Sequence, residues 1–376
     1  MINKKRLIKL TQHLIRINSE NPCGTEFNIA RFVKDYLTRL GLRPKIHEFA
    51  KERSNVVCVL KGRHARRSLL ITPHLDTVPR GKNWHFAPFA AKISGDRIYG
   101  LGASDCKGNL AVGLEAVNSL LEERRTLDYD LIFAATADEE SGSLFGLEPL
   151  LDKKIIACDS ALVLDSDDFN IIVAQKGLLH LKIKVKGKRA HGAYPWLGRN
   201  AIDEAIKAIN AIKAYEFSRR RYPFLKGPTI NIGTIKGGDK VNVVADWCEV
   251  EIDIRFLPGE PVERLLGRIK EIVGRNCRQF KIEVEGIQQP FEIEVRHPLV
   301  QCLKRAMRGK NISPVICGSE GATTISFFQK LNIPSVATGF GVQGCAHAPD
   351  EFVKISNLFK GAQVLEEFLK NYKFER

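Results

Sequence analysis

The chain is predicted to be an α/β protein with a mostly parallel central sheet, interrupted by a smaller α+β insert. Three observations carry this. Short apolar runs, S-L-L-I-T (68–72), D-L-I-F-A-A-T-A (130–137) and A-L-V-L (161–164), alternate with segments of helical periodicity, the order that builds parallel sheets. Each run stops abruptly at acids or histidine: His74 and Asp76 after the first, Asp138, Glu139 and Glu140 after the second, Asp165 after the third. From about residue 177 to 286 the pattern changes to strands with one wet face, and then the earlier style returns. Parallel sheets do their chemistry beyond the carboxyl ends of the strands, so those end residues are the functional candidates.

Taken in order, residues 3–17 and 26–40 carry apolar residues at three-and-four spacing and read as helices, separated by a polar break at 18–25 and stopped by Gly41. Residues 55–60 and 68–72 read as strands, and 78–102 as one long loop containing W-H-F-A-P-F and G-D-R-I-Y-G-L-G. Loops of that length inside a domain usually have a function. A helix is expected over 107–123, with Asp105 at the junction entering it; capping is the plain explanation of that residue. In the insert, a strand at 178–186, a helix at 198–217, strands at 228–236 and 247–256, a helix at 260–275 and a strand at 280–284 make β-α-β-β-α-β. That is the split arrangement of ferredoxin-like domains. Helices follow at 297–309 and around 321–331, then the strand 333–339 with His347 just beyond it, and a closing helix at 355–371. The expected domains are 1–176 and 287–376 for the main body, with 177–286 inserted between them.

Composition narrows the function classes. With 376 residues, 44% hydrophobic and 27% charged, the chain can bury a substantial core in an ordinary soluble protein. No apolar run approaches the roughly 18 to 20 residues that span a bilayer, and M-I-N-K-K-R-L-I-K-L enters a helical pattern without a cleavable signal. The expectation is a cytoplasmic protein with no membrane partner. Nine cysteines, an odd number without C-x-x-C spacing, read as reduced thiols. The net charge of +15 is spread along the chain, with only short basic clusters such as those at 63–67 and 218–221. It reads as a solvated surface and not as a nucleic-acid interface.

Collected, the candidates are His74, Asp105, Glu139, Glu140, Asp165 and His347. Two imidazoles and three carboxylates suit a pair of Zn²⁺-like ions that share a bridging carboxylate. Such a pair polarises a carbonyl and lowers the pKa of water towards neutrality. Adjacent Glu139 and Glu140 can divide the work, one on metal and one as general base. Two residues along an extended chain from His74, Asp76 points to the same side and can orient the imidazole. Each residue alone has a plain explanation: a cap for Asp105, a turn for Asp165, surface charge for the Glu pair, a loop contact for His347. Their joint pattern decides.

With these residues in view, the chain resembles the dinuclear zinc amidohydrolases and exopeptidases, which include acetylornithine deacetylase, succinyl-diaminopimelate desuccinylase, aminoacylase and the glutamate and dipeptide carboxypeptidases. The resemblance covers essentially the whole length. Its motifs are H-L-D-T-V-P (74–79), G-L-G-A-S-D-C-K-G (100–108), A-D-E-E-S-G (137–142), L-D-S (164–166), R-A-H-G-A-Y-P-W-L-G-R-N-A (189–201), G-G-D-K-V-N-V-V (237–244), D-I-R-F-L-P-G-E (253–260) and A-H-A-P-D-E (346–351). It implies a zinc-exopeptidase-type catalytic domain with an inserted dimerisation (lid) domain, and two divalent ions, zinc first and cobalt as the alternative. One ion would sit on His74, Asp105 and Asp165 and the other on Asp105, Glu140 and His347, with Asp105 bridging. Glu139 would be the general base and Asp76 the partner of His74. His191 would be offered across a homodimer to stabilise the oxyanion of the other protomer's substrate. Asn242 and Arg255 match substrate-holding positions, the guanidinium clamping a carboxylate; an ion pair with Asp253 or Glu251 is the competing reading of Arg255. Ser319 and Glu320 would add substrate contacts in G-S-E-G-A-T (318–323), a segment closest in look to acetylornithine deacetylase, with Ala322 where the desuccinylase type has Arg.

Two departures stand out. Asp165 replaces the Glu commoner among deacylases and tilts towards the peptidase branches. Cys106 takes the usual Met place after the bridging acid, close enough for a thiol reagent to act. The implied reaction is hydrolysis of an N-acyl amino acid, acetylornithine-like first, with a dipeptidase or carboxypeptidase of the same family as the alternative. A catalytically dead binding protein is the third reading, and the intact set of ligands speaks against it.

Overall fold

The computed structural model describes residues 1–22, 26–63, 66–217 and 222–375. The basic cluster at 218–221, the middle of the one at 63–67 and the end of the polar break at 18–25 therefore lie outside the described residues. The chain divides into two compact units, one formed by Met1–Val173, Ile293–Cys317 and Thr323–Arg376, the other by Ala174–Glu292 and Gly318–Ala322.

The chain runs through α1 (Lys4–Arg16), α2 (Glu26–Arg39), β1 (Lys45–Glu48), β2 (Ser54–Leu60), β3 (Ser68–Thr72), β4 (Lys92–Ser94), β5 (Arg97–Tyr99), α3 (Gly108–Glu122), β6 (Asp130–Ala135), α4 (Leu147–Asp152), β7 (Ser160–Leu164) and β8 (Asn170–Gln175). Then come β9 (Gly177–Lys186), α5 (Ala201–Lys213), β10 (Thr229–Gly237), β11 (Trp247–Phe256), α6 (Val262–Asn276), β12 (Phe280–Gln288) and β13 (Phe291–Glu292). The last stretch adds α7 (Pro298–Arg308), β14 (Val315–Ser319), α8 (Ile325–Lys330), β15 (Ser335–Thr338), β16 (Phe352–Lys354) and α9 (Ile355–Asn371).

In the first unit the sheet order is β1-β2-β6-β3-β7-β15-β8. The four central strands β6, β3, β7 and β15 run parallel, and antiparallel pairs flank them on both sides. This is why the central strands are continuous apolar runs: Leu69, Leu70, Ile71, Phe133, Leu162 and Leu164 are all buried, because helices cover both faces of a parallel sheet. Helix α3 is buried almost all round, since it lies between α9 and the sheet, where Gly113 approaches Phe133 and Leu164. Helix α1 buries one stripe, Leu7, Leu10, Thr11, Leu14 and Ile15, and its N-terminus is capped by the Asn3 side chain, which accepts from Arg6 N at 3.0 Å.

The expected loop at 78–102 is not one loop. It contains β4 and β5, which form a hairpin around Gly95 (φ +58°), and β16 adds to β5 in the register Phe352 with Tyr99 and Lys354 with Arg97. Strands of three residues are too short to show a period. The β5–β16 pairing comes from far along the chain and is sealed by Phe86, Tyr99 and Phe352, whose rings pack in sequence at tilted angles. Strands β1, β8 and β14 and helix α4 also escaped the sequence reading.

The second unit has β9, α5, β10, β11, α6 and β12 in the predicted order, with an antiparallel sheet β10-β11-β9-β12. Leu179, Leu181, Ile183 and Val185 of β9 alternate inward against Ala205, Ala208 and Ile212 of α5 and Leu265, Ile269 and Val273 of α6. The basic residues between them face outward and pair across strands, Lys182 with Glu251 and Glu285 at 3.0 and 2.7 Å and Lys184 with Glu283 at 2.7 Å.

Candidate metal centre

His74 stands just past the end of β3, where Leu75 N donates to the Thr136 carbonyl at 2.7 Å and ties this segment to the end of β6. His74 and Asp76 are buried. His74 Nδ1 lies 3.0 Å from the main-chain carbonyl of Asp76 and 3.5 Å from its carboxylate. A carbonyl only accepts, so in the neutral ring Nδ1 keeps the proton and Nε2 offers its lone pair. That Nε2 faces Asp105 Oδ1 at 2.8 Å, with Asp165 Oδ1 at 4.0 Å. Orientation of His74, expected from the Asp76 carboxylate, thus comes first from the Asp76 main chain. The carboxylate is occupied elsewhere: Oδ1 accepts from Glu139 N and Oδ2 from Glu140 N, each at 3.1 Å.

Asp105 is delivered by a turn in which Gly102 takes φ +78°, and a Cβ there would come within 2.6 Å of Thr77 Cγ2. Only glycine fits both demands. Asp105 does not cap α3, whose cap position is Lys107 and carries no side-chain capping bond. It stands instead between two imidazoles, Oδ1 towards His74 and Oδ2 towards His347 Nε2 at 3.3 Å. His347, in a left-handed turn (φ +61°), also lies 3.2 Å from Glu140 Oε2. The donor atoms of Asp105, Glu140 and His347 are within 4.8 Å of one another, and so are those of His74, Glu139 and Asp165. Glu139, expected only as a base, therefore lies as close to His74 and Asp165 as a ligand would.

The electrostatics of this cluster ask for cations. Burial, followed by the Asp165 charge, pushes Glu139 well above the usual carboxylate range. Burial, then Asp105, raises Asp165 to about 7, and burial raises Glu140 as well. Burial works against the Asp105 anion too, but His347 and His74 outweigh it and hold that group low. His347 rises to about 10 through its bonds to Asp105 and Glu140. Crowded carboxylates in low dielectric repel one another, and only bound protons or metal ions relieve this. Glu140 Oε1 is moreover buried without a hydrogen-bond partner, and such orphans call for an explanation. Imidazole and carboxylate donors with an unfilled oxygen fit a pair of Zn²⁺-like ions.

Cys106 departs from the expectation of reactivity. It is fully buried, its Sγ receives the His74 amide at 3.1 Å, and burial pushes the thiol to about 12. It packs against the His74 segment and is shielded from a thiol reagent. Glu351 was given no role by the sequence reading, although it ends the A-H-A-P-D-E motif. Its carboxylate accepts from Gly102 N and Ser104 N at 2.8 Å and from Asp105 N at 3.0 Å, and so holds the turn that carries Asp105. The β5–β16 pairing brings it there, and no local pattern could have announced that.

The remaining candidates belong to the second unit. His191 is exposed, and its Nδ1 accepts from Ala193 N at 3.0 Å. The Asn242 main-chain oxygen accepts from Gly192 N at 2.8 Å, joining the two motif loops. Arg255 forms the competing ion pair, with two bonds to Asp253 at 2.8 and 3.0 Å. Ser319 Oγ donates to the Gly321 carbonyl at 3.2 Å. Glu320, expected to contact substrate, has both oxygens engaged, Oε2 by buried Lys176 at 2.5 Å and Oε1 by Lys226 N at 2.9 Å. It fastens the segment 318–322 to the second unit.

Comparison with known proteins agrees with this chemistry. The sequence model of peptidase family M20/M25/M40 matches residues 70–371. An uncharacterized metallohydrolase of Methanocaldococcus jannaschii is 28% identical, the match covering 96% of this chain and 98% of that one. An acetylornithine deacetylase of Vibrio cholerae is 28% identical over 93% of each. Among solved structures, a tripeptidase of Staphylococcus aureus superposes with a TM-score of 0.84 at 26% identity, covering 98% of both chains. No described helix is long and apolar enough to cross a membrane. The match spans most of the chain and takes in all the clustered residues, and the protein accordingly belongs to the M20/M25/M40 peptidase family of metallohydrolases.

Proposed function

We propose that the protein hydrolyses the amide bond of N-acyl amino acids, with acetylornithine-like substrates first. The observation that supports it is the carboxylate of Asp105 set between His74 and His347, with half-buried Glu139 close to His74 and Asp165. His74, Asp105 and Asp165 would hold one divalent ion and Asp105, Glu140 and His347 the other; zinc, or alternatively cobalt, supplies Lewis acidity to the scissile carbonyl and acidifies water. Glu139 takes the proton of the attacking water and returns it to the departing amine nitrogen. Asp76 keeps Glu139 in place through its backbone amide. His191 stabilises the oxyanion across a homodimer: because Nδ1 accepts from Ala193 N, the neutral ring carries its proton on Nε2, which makes the exposed tip a donor. Tyr194, Trp196, Leu197 and Val241 flank it as exposed apolar side chains of the kind that pair subunits. Asn242, Arg255 and Ser319 contact the substrate, with Asp253 keeping the guanidinium plane fixed.

A second reading, a di- or tripeptidase or carboxypeptidase, is favoured by the likeness to the Staphylococcus aureus tripeptidase and by Asp165. Both readings share every step and differ in substrate contacts. The test is a panel of N-acetyl amino acids, dipeptides and tripeptides assayed with Zn²⁺ and with Co²⁺. Turnover of N-acetyl amino acids is expected; cleavage confined to peptides would sink the deacylase assignment.

A further inference from the structure

Behind the turn that carries Glu139 and Glu140 lies a buried polar cluster of which the roles above use Asp76 alone. Asp138, in a left-handed conformation (φ +63°), opens that turn. Its Oδ2 accepts from Phe145 N at 3.0 Å, closing the turn from the far side, and its Oδ1 receives Arg53 Nη2. Arg53 Nη1 donates to Asn21 Oδ1 at 3.0 Å, and Asn21 Nδ2 donates to Asp76 Oδ2 at 2.9 Å and to Asp138 Oδ1 at 3.3 Å. Asp76 in turn holds the amides of Glu139 and Glu140. The guanidinium, side chain 8% exposed, is thus joined to the same turn by two routes, directly through Asp138 and indirectly through Asn21 and Asp76. Two residues further on, Asn55 Oδ1 accepts from Ala137 N at 2.9 Å and its Nδ2 donates to the Phe145 carbonyl at 2.8 Å.

We infer that Arg53 is a positioning residue for this centre: its two-pronged grip on Asp138 and Asn21 sets the direction of the Asp76 carboxylate and, through it, the placement of Glu139 and Glu140. A surface ion pair would not need a planar fork. Here the fork must reach two acceptors at once, with Asp76 and Asp138 both buried near it, and an ammonium has one point of charge for that task. The chemical consequence is specific. Partners behind metal ligands tune affinity and rate about 10- to 100-fold without touching metal or substrate. The inference rests on the metal site and base proposed above.

The test uses the full-length protein with Arg53→Lys, which keeps the charge and loses the fork, and Asp138→Asn, which keeps the shape and loses the anion. Competition with a chromophoric chelator for Zn²⁺ reads metal affinity without turnover. For both variants the weaker of the two metal equivalents is expected to lose about tenfold in affinity. At saturating metal, kcat is expected to fall about tenfold with KM within about twofold. The double variant should be no worse than Arg53→Lys alone, since losing the fork already breaks both routes, the one through Asp138 included. A merely structural Arg53 would lower the Tm of Arg53→Lys and leave metal affinity and kcat of the folded enzyme at wild-type values; that result overturns the inference. If Arg53→Lys fails to fold, the double variant Asn21→Ala, Asp138→Asn, which breaks both routes, decides alone, and native metal affinity in it overturns the inference equally. Should the wild type hydrolyse nothing in the panel, the functional reading falls while the metal titration still decides the role of Arg53.

Discussion

At the scale of single residues, the cluster shows how much a side chain's role depends on what surrounds it. Glu139 and Glu140 are chain neighbours with the same chemistry, yet Glu140 reaches His347 while half-buried Glu139 faces His74 and Asp165, and desolvation, followed by the Asp165 charge, holds it protonated well above its usual range. A carboxylate poised in this way is suited to carry a proton and poorly suited to remain a bare anion. Glu139→Gln should therefore remove at least about 10³-fold of kcat, with two equivalents of metal still bound by elemental analysis. Retained turnover would dismiss Glu139 as base, and loss of metal would make it a ligand. Asp105 and Cys106 teach the opposite lesson. For Asp105 the sequence offers a helix cap beside the reading as a bridging ligand, and the fold sets it between two imidazoles; Cys106, expected within reach of a thiol reagent, is buried.

At the scale of elements, the strand ends deliver the proposed ligands and short connections lock them. Helix α2 takes part through its first residue: Glu26 Oε1 lies 3.2 Å from both Asp138 N and Arg53 Nη2, while Oε2 is buried without a partner. Arg53 is already committed to Asp138, so one cation faces two carboxylates. Burial, then Asp76, raises Glu26 to about 7 from an ordinary 4.5. The folded protein therefore holds a proton that the unfolded chain releases between those values. Its contribution to stability is complete below pH 4.5 and is lost as pH rises through 7, by an amount on the order of 3 kcal/mol at most. Glu26→Gln should flatten the decline in urea-unfolding stability between pH 5 and 8, and an unaltered slope would assign the decline elsewhere. Most elements were legible because their periodicity is local: β3 falls at 68–72 and α9 at 355–371, where the sequence places them. The β4–β5–β16 sheet was not, because three-residue strands have no period and pair with a partner some 250 residues away.

At the scale of the molecule, the proposed exchange of His191 between subunits makes an unusual demand, because each site would take its base from one chain and its oxyanion donor from the other. Glu139→Gln and His191→Ala homodimers should both be nearly inactive. When they are unfolded and refolded together, half the dimers are mixed and each mixed dimer holds one complete site, so activity should recover to about a quarter of wild type. No recovery, with dimers confirmed by light scattering, would count against the exchange. Taken by itself, the sequence determined the fold class and the residue types that gather at strand ends, because burial writes its period directly into the order of apolar and polar residues. Tertiary structure alone decided which atoms face each other. It set Asp105 between two histidines, turned Cys106 inward, tied Glu320 to Lys176, and brought Arg53 to Asp138 and Glu351 to the Asp105 turn, each from far away in the chain. Such contacts depend on the crossing of distant segments, and the hydrogen bonds that fix them leave no periodic trace in the local sequence.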